Sequence, residues 1–434
     1  MNVILLSGGS GKRLWPLSNN IRSKQFIKLF KNENGSYESM LQRVFKQIRK
    51  IDSKSKITVA TSKSQVSAIV SQLGTNVGVS VEPSRKDTFP AIALASLYLY
   101  EKMDVDLDEP VVVCPVDTYV DFSFFNVLES LSERVTVGES NLVLCGIEPT
   151  YPSEKFGYII PKDKDDVSSV LMFKEKPNKS NATKYIKKGA LWNGGVFAFK
   201  LGYVIDRAHE LLNFKDYEGL YNKYNKLDKI SFDYAVCEHE KKIEVIRYNG
   251  SWRDLGTWNS LTEVMEDNVI GAGLLADKCD NVHLINELDT PILAAGLKDV
   301  VIAASPDGIL VSDKELSQYI KDDVEKISED VMYAEKSWGR YRVVDKDVNS
   351  QTIKITLYKN HSMGYHSHKY RDEQWVVISG SGIATIDEEE TELNVGDSIR
   401  MLSGQKHKIF AQTEMKLIEI QTGKKICVED KIKY

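Results

Sequence analysis

Four consecutive apolar residues, Val3-Ile4-Leu5-Leu6, run straight into Ser7-Gly8-Gly9-Ser10-Gly11-Lys12-Arg13. A short β-rich run without polar interruption suits a strand buried on both faces, and a glycine cluster at its end turns the chain at once. Runs of the same kind recur at Ile57–Ala60, Val111–Cys114 and Leu142–Cys145. Between them lie helix-like stretches such as Ala91–Lys102, led by Pro90 in a position that suits a first helical turn. Strands alternating with helices predict an α/β, Rossmann-like fold with a mostly parallel sheet covered on both faces. Ligands then bind at the carboxyl ends of the strands.

The pattern changes after about Trp258. From Gly271 to Val311 short β-rich runs, such as Val300–Ala303 and Gly308–Val311, are separated by Asp, Asn and Gly turns. This predicts a small all-β connector of solenoid-like character, although no clean repeat is visible. A charged helix is expected over about 315–328. From Trp338 onward strands are dense and punctuated by Gly and Asp, as in a small antiparallel barrel. The expected division is therefore 1–262, 263–333 and 334–434.

A net charge of -5 argues against a nucleic-acid partner, which needs a basic face. No apolar run reaches the roughly 18 residues that span a bilayer, so no membrane association is expected. The apolar stretch at the start is too short for a signal peptide and has no basic leader. Five cysteines without a CxxC pair read as free thiols in a reducing compartment, and a cytoplasmic location is expected.

The glycine string carries the first chemistry. Glycines let backbone N–H groups approach phosphate oxygens without Cβ clashes, and Arg13 adds a charge-assisted fork for a triphosphate. The string continues through Leu14-Trp15-Pro16-Leu17 to Ser23-Lys24-Gln25-Phe26. The whole resembles the signature of the nucleotide-sugar pyrophosphorylases. Arg-Leu-Trp-Pro-Leu with Lys-Gln-Phe resembles the mannose-1-phosphate guanylyltransferase branch, with Ser23 where that family usually has Pro. The resemblance implies a GT-A-like nucleotidyltransferase domain that binds nucleotide at Leu6, Gly8, Gly9 and Gly11.

Further strings follow in order over the first 260 residues or so. Cys114-Pro115-Val116-Asp117 matches the family's Pro-x-Asp metal site, and Trp252-Arg253-Asp254-Leu255-Gly256-Thr257-Trp258 is similar to its Trp-x-Asp-x-Gly-x-Trp. Asp117 and Asp254 are thereby implied as the carboxylates on Mg²⁺, a hard cation that also takes phosphate oxygens. Taken alone, Lys174-Glu175-Lys176 reads as solvated surface. Within Phe173-Lys174-Glu175-Lys176-Pro177 it resembles Phe-x-Glu-Lys-Pro, which implies Glu175 on sugar hydroxyls and Lys176 on the sugar phosphate. Trp192-Asn193-Gly194-Gly195-Val196-Phe197 resembles Trp-Asn-Ser-Gly-x-Phe, with Gly194 in place of Ser, and implies Asn193 on the sugar. Phe156-Gly157-Tyr158-Ile159 resembles Tyr-Gly-Tyr-Ile, in which Gly157 lets the backbone meet the hexose. Base choice rests on Glu82-Pro83-Ser84-Arg85-Lys86-Asp87-Thr88-Phe89-Pro90-Ala91, similar to Glu-Pro-x-x-Arg-Asn-Thr-Ala-Pro-Ala but departing at Lys86, Asp87 and Phe89. A carboxylate at Glu82 can accept from guanine N1–H and the exocyclic amine together.

A second constellation lies near the other end: His366-Ser367-His368-Lys369-Tyr370-Arg371-Asp372-Glu373, with His407 after Gly404-Gln405-Lys406. A His-x-His pair on one strand puts both imidazoles on one face. His366, His368, Glu373 and His407 match the cupin metal motif, with Leu402 in place of its Pro and Ala411 in place of its Asn. Zn²⁺ or another first-row divalent ion suits this set, and ligand type alone does not choose between them. The barrel also resembles the isomerase domain of type II phosphomannose isomerases, through Arg371-x-Glu373-x-Trp375-x-Val377-x-Ser379-Gly380 and the tail from Ile418 to Ile432. Departures stand at His366, Tyr370, Gln374 and Lys336-Ser337. The resemblance implies mannose 6-phosphate and fructose 6-phosphate as substrates of a second activity, with Arg371 on phosphate or developing charge. A purely structural barrel is the alternative.

The reaction implied for the first site joins mannose 1-phosphate to GTP, giving GDP-mannose and pyrophosphate, with Arg13 and Lys24 on the triphosphate. A homo-oligomer, a dimer, is expected. Two rivals stand beside this reading. One is a pyrophosphorylase for another sugar 1-phosphate or NTP, with a structural barrel. The other is a non-catalytic sensor of nucleotide sugars, which would be expected to lack Arg13, Lys24 or a metal carboxylate; all are present.

Overall fold

The computed structural model describes residues 1–9, 12–327 and 330–434, with backbone only for Lys12 and Val428. Gly11 and the end of the expected 315–328 helix lie outside the described residues. The apolar runs form strands β1 (Asn2–Leu6), β2 (Lys56–Ser62), β3 (Gly78–Glu82), β4 (Pro110–Pro115) and β5 (Leu142–Ile147). They are joined by β6 (Gly157–Pro161), β7 (Val167–Lys174), β8 (Leu191–Lys200) and β9 (Ile243–Tyr248) in one nine-stranded sheet, order β3-β2-β1-β4-β8-β5-β9-β7-β6.

Four neighbouring strands, β3-β2-β1-β4, are parallel, as are β5 and β9. The remainder departs from the expected parallel order: β8 runs antiparallel to both β4 and β5, and β7 antiparallel to β9 and β6. The sequence hides this because β5 and β8 are both buried on two faces, and hydrophobicity without alternation carries no direction. Alternate residues of β1 enter opposite cores, Val3 and Leu5 with Val44 and Leu128, Ile4 with Leu94 and Val204. The helix expected from Ala91 spans Thr88–Met103, so Pro90 is its third residue, and Asp87 caps it at φ 71°.

The connector consists of β10 (Val269–Gly271), β11 (Gly273–Leu275), β12 (His283–Asn286), β13 (Ile292–Ala294), β14 (Val300–Ser305) and β15 (Gly308–Asp313). β10, β12 and β14 stack in parallel, β11 lies parallel to β13, and β15 closes the stack as a hairpin on β14. This is a short solenoid whose rungs differ in length, so no repeat shows in the sequence. The expected charged helix is split into a 3-10 turn, Leu316–Tyr319, and a helix, Lys321–Ile327.

The barrel is built from β16 (Tyr333–Lys336), β17 (Gly339–Lys346), β18 (Ser350–Leu357), β19 (Ser362–His368), β20 (Arg371–Ser379), β21 (Gly382–Ile386), β22 (Glu389–Leu393), β23 (Ser398–Met401), β24 (His407–Ala411), β25 (Met415–Gly423) and β26 (Lys431–Lys433). Two sheets, β16-β17-β18-β25-β20-β23 and β22-β21-β24-β19-β26, enclose a core of Leu357, Trp375, Ala384, Ile409, Met415 and Leu417. β16 packs on the helix Val66–Leu73 of the first region. Among the described residues no helix is long and apolar enough to cross a membrane, and all five cysteines are unpaired.

Candidate functional sites

β1 and β4 lie side by side with Leu6 opposite Pro115, so the glycine turn and Asp117 leave the same edge of the sheet. A two-stranded ribbon then brings in the second carboxylate: Trp252–Asp254 pairs antiparallel with Thr118–Val120, Asp254 opposite Thr118. Lys24 reaches between them, with Nζ 2.9 Å from Asp117 Oδ2, 3.7 Å from Asp254 Oδ1 and 3.3 Å from Leu255 O. Burial opposes the ammonium, but the two carboxylates outweigh it and hold its pKa above the ordinary lysine value. Although half exposed, Asp254 is held above the ordinary carboxylate range by partial dehydration among its neighbours, against the pull of Lys24 and with Asp117 adding to the rise.

The two carboxylates line a cleft of about 250 Å³ together with Leu6, Gly157, Glu175 and Asn193. Lys176, its backbone at φ 42°, bonds Glu175 Oε1 at 2.8 Å. The space a Cβ on Gly157 would take is filled by Glu175 Oε2 at 2.5 Å and Phe173 at 3.0 Å, so this glycine makes room for a carboxylate of the protein itself. Asn193 Nδ2 donates to Asp233 Oδ1 at 2.7 Å, and its Oδ1 accepts from Gly195 N at 3.1 Å.

Asp233 lines the same cleft and was not singled out by the sequence reading. Burial, and after it the charge of Glu175, push its carboxyl up to about 6. The available signal was a carboxylate inside the largely apolar run Phe232-Asp233-Tyr234-Ala235-Val236-Cys237. Lys155 and Thr88 also line the cleft and were missed.

Lys24, Lys176, Gly8, Gly9, Arg13 and Glu82 stand outside that lining. Gly9 has φ +105°, a backbone that favours glycine. No heavy atom lies within 4 Å of where a Cβ would sit on Gly8 or Gly9. Arg13 is exposed, and its charge is felt at Lys24 and Asp254. Glu82, at the carboxyl end of β3, is buried and accepts from Tyr224 Oη at 2.7 Å. Burial pushes its carboxyl up to about 7, against the lowering effect of that hydrogen bond.

In the barrel, β19, β20 and β24 present His366, His368, Glu373 and His407 to the interior, all buried, with ligand atoms within 4.8 Å of one another. His366 Nδ1 lies 2.6 Å from Gly364 O and His407 Nδ1 3.0 Å from Gln405 O. Carbonyls only accept, so Nδ1 of each ring carries a proton. His368 Nε2 and His407 Nε2 meet Glu373 at 3.1 and 3.2 Å. Glu373 Oε1 also accepts from Arg371 Nε at 2.9 Å and Gln421 Nε2 at 3.0 Å. Burial opposes its charge, but the hydrogen bonds with His368 and His407 and the charge of Arg371 outweigh burial and hold Glu373 well below the usual carboxylate range. Burial and the nearby Lys431 push His366 down to about 3, which keeps it neutral. Three imidazoles and one ionised carboxylate, fixed from behind, fit a divalent transition metal. Asp117 and Asp254 offer only hard oxygens at a partly open cleft, which fits Mg²⁺ with water and phosphate completing its shell.

The family model described as nucleotidyl transferase matches residues 2–269. The chain belongs to the nucleotidyl transferase family. A second model, mannose-6-phosphate isomerase C-terminal, matches residues 322–434. The expected relationship to mannose-1-phosphate guanylyltransferases extends over the whole length. The mannose-1-phosphate guanylyltransferase of Salmonella montevideo is 28% identical over 99% of this chain and 98% of its own. The xanthan biosynthesis protein XanB of Xanthomonas campestris is 29% identical over 99% and 97%. Among solved structures, the mannose-1-phosphate geranyltransferase of Thermus thermophilus superposes with a TM-score of 0.62 at 26% identity, covering 75% of this chain and 98% of that one. This nucleotidyl transferase thus pairs a sheet-edge cleft with a separate buried ligand cluster in its barrel.

Proposed function

We propose that this nucleotidyl transferase makes GDP-mannose and pyrophosphate from mannose 1-phosphate and GTP. The observation that carries the reading is Lys24 bridging Asp117 and Asp254, two carboxylates that line one cleft with Glu175, Asn193 and Gly157. The reading takes 1–262 as the catalytic domain, 263–333 as connector and 334–434 as a second, cupin domain, in a cytoplasmic homodimer.

A phosphate oxygen of mannose 1-phosphate attacks the α-phosphorus of GTP. The new P–O bond forms as the bond to the β-phosphate oxygen breaks, and pyrophosphate leaves in line. The nucleophile is already anionic, so the chain supplies position and charge rather than a strong base. The glycine turn offers backbone N–H groups to the triphosphate. Lys24 and Arg13 balance the charge that collects on the leaving group. Glu175 and Asn193 hold the sugar hydroxyls, Lys176 the sugar phosphate, and Glu82 the guanine edge. When bound by Asp117 and Asp254, Mg²⁺ supplies further neutralisation at the phosphate oxygens. The test is to incubate the protein with each NTP and several sugar 1-phosphates and follow pyrophosphate. Release with GTP and mannose 1-phosphate above all other pairs is expected; preference for another pair overturns the assignment.

A second reading concerns the barrel, favoured by its buried four-residue cluster. It interconverts mannose 6-phosphate and fructose 6-phosphate, with Arg371 holding the phosphate or the charge that develops beside the carbonyl. A coupled assay for hexose 6-phosphate interconversion tests it. Metal-loaded protein that never isomerises makes the barrel structural.

A further inference from the structure

The segment from Asn19 to Lys28 carries Ser23 and Lys24, and it is gripped from two sides. Towards the sheet, Ser23 is fully buried and its hydroxyl donates to Gly9 O at 2.9 Å. Gln65 Nε2 donates to Ser23 Oγ at 2.5 Å and reaches Gly9 O at 3.4 Å, and Thr61 Oγ1 fixes Gln65 Oε1 at 2.7 Å. The carbonyl of Gly9 is therefore set by side chains, and the position of residue 23 fixes that of Gly9. A proline at position 23 would have no hydroxyl to give.

Towards the barrel, Asn19 donates to Asp307 Oδ2 at 2.7 Å and to Tyr333 O at 3.1 Å. Arg22 is 5% exposed; its guanidinium forks onto Glu287 at 2.7 and 2.8 Å and lies over the Tyr333 ring at 5.1 Å. Gln72 Nε2 donates to Phe26 O at 2.9 Å and Glu335 Oε2 at 3.1 Å, and Lys28 meets the other oxygen of that buried carboxylate at 3.5 Å. Tyr333 and Glu335 both belong to β16, the first strand of the barrel.

We propose that β16 is a working part of the nucleotide site: Tyr333 and Glu335 are positioning residues that set Gly9 and Lys24 through Arg22, Ser23 and Gln72. The proposal rests on the nucleotidyl-transfer reading of the cleft. The barrel strand then acts as the back wall of a site whose front faces the triphosphate. Glu175 and Asn193 stand on other elements, so the sugar side is not set by this strand.

The test uses the full chain with Tyr333→Ala and Tyr333→Phe. Loss of a desolvated cation–π partner is expected to speed amide hydrogen exchange over 19–28 about five- to tenfold and to raise the KM for GTP by a similar factor. The KM for mannose 1-phosphate and the metal content of the barrel stay at wild-type values, and Tyr333→Phe, which keeps the ring, behaves as wild type. Should Tyr333→Ala not fold, Glu335→Ala takes its place with the same readouts. Unchanged exchange over 19–28 together with an unchanged KM for GTP overturns the proposal. If the wild-type protein releases pyrophosphate from none of the nucleotides tested, the functional reading falls, and the exchange data alone decide whether β16 holds the segment.

Discussion

The two ligand clusters of this protein are built on opposite plans. In the cleft, the side chains of Asp117 and Asp254 are 37% and 51% exposed, and a lysine stands between them. In the barrel, the four ligands are at most 3% exposed, and backbone carbonyls, Arg371 and Gln421 brace them from behind. The first arrangement leaves room for phosphates to complete it, and the second is assembled before anything binds. An open pair of carboxylates suits an ion that arrives with its substrate. A dry, preformed set of imidazoles suits an ion that stays. The contrast should survive perturbation of either side, because the ligand sets share no residue.

The sharpest way to break that contrast is His368→Ala. It is expected to abolish metal binding in the barrel and with it any isomerase activity, while pyrophosphate release stays near wild type. Elemental analysis and the two assays read this directly; lost nucleotidyl transfer with a folded barrel would merge the two sites. Next in size, Asp117→Asn and Asp254→Asn each remove a charge from the cleft and should lower turnover by about two orders of magnitude or more. Full activity of either at low Mg²⁺ would remove it from the metal site.

A smaller effect is expected at Glu82. Glu82→Gln turns an acceptor into a donor at a buried base edge, at a cost of roughly 1–3 kcal/mol, or about 5- to 150-fold in GTP-over-ATP discrimination. An unchanged ratio of kcat/KM values would withdraw the role. The smallest effect is one of pH. With the Glu82 carboxyl pushed up to about 7, the ionised acceptor dominates above that pH and the protonated form below it. The KM for GTP should therefore rise by a few-fold as pH falls from 8 to 6, and Glu82→Gln should flatten that slope. A wild-type profile that is level over this range would show that the carboxyl does not face the base.

Contiguous strings were legible from the chain, and pairs assembled across it were not. Asp117 and Asp254 stand in separate strings, and both lie on the cleft. The four barrel ligands fall on strands whose alternation turns them to one face. Asp233 escaped notice because it comes from a π-helical turn far along the chain, and only folding sets it beside Asn193. Gln65 reads as an ordinary polar residue before a helix, yet it is fully buried against Ser23. Strand direction was half legible: the β3-β2-β1-β4 half followed the alternation of strands and helices, and β8 did not. The helix expected over 315–328 is divided between Leu316–Tyr319 and Lys321–Ile327 within one charged stretch, a break its composition does not mark.

The stacked strands of the connector give the molecule a ruler. Its last parallel rung touches down where Ser305 Oγ donates to Pro16 O at 2.7 Å, and two residues on Asp307 holds Asn19. Rungs come only in whole steps of about 4.8 Å. One rung more or fewer would carry Asp307 and Tyr333 past their partners by more than a hydrogen bond can stretch. Loops between rungs are free to grow outward, but the number of rungs is locked to the spacing of residues 16 to 22, and a chain that changed one would have to change the other.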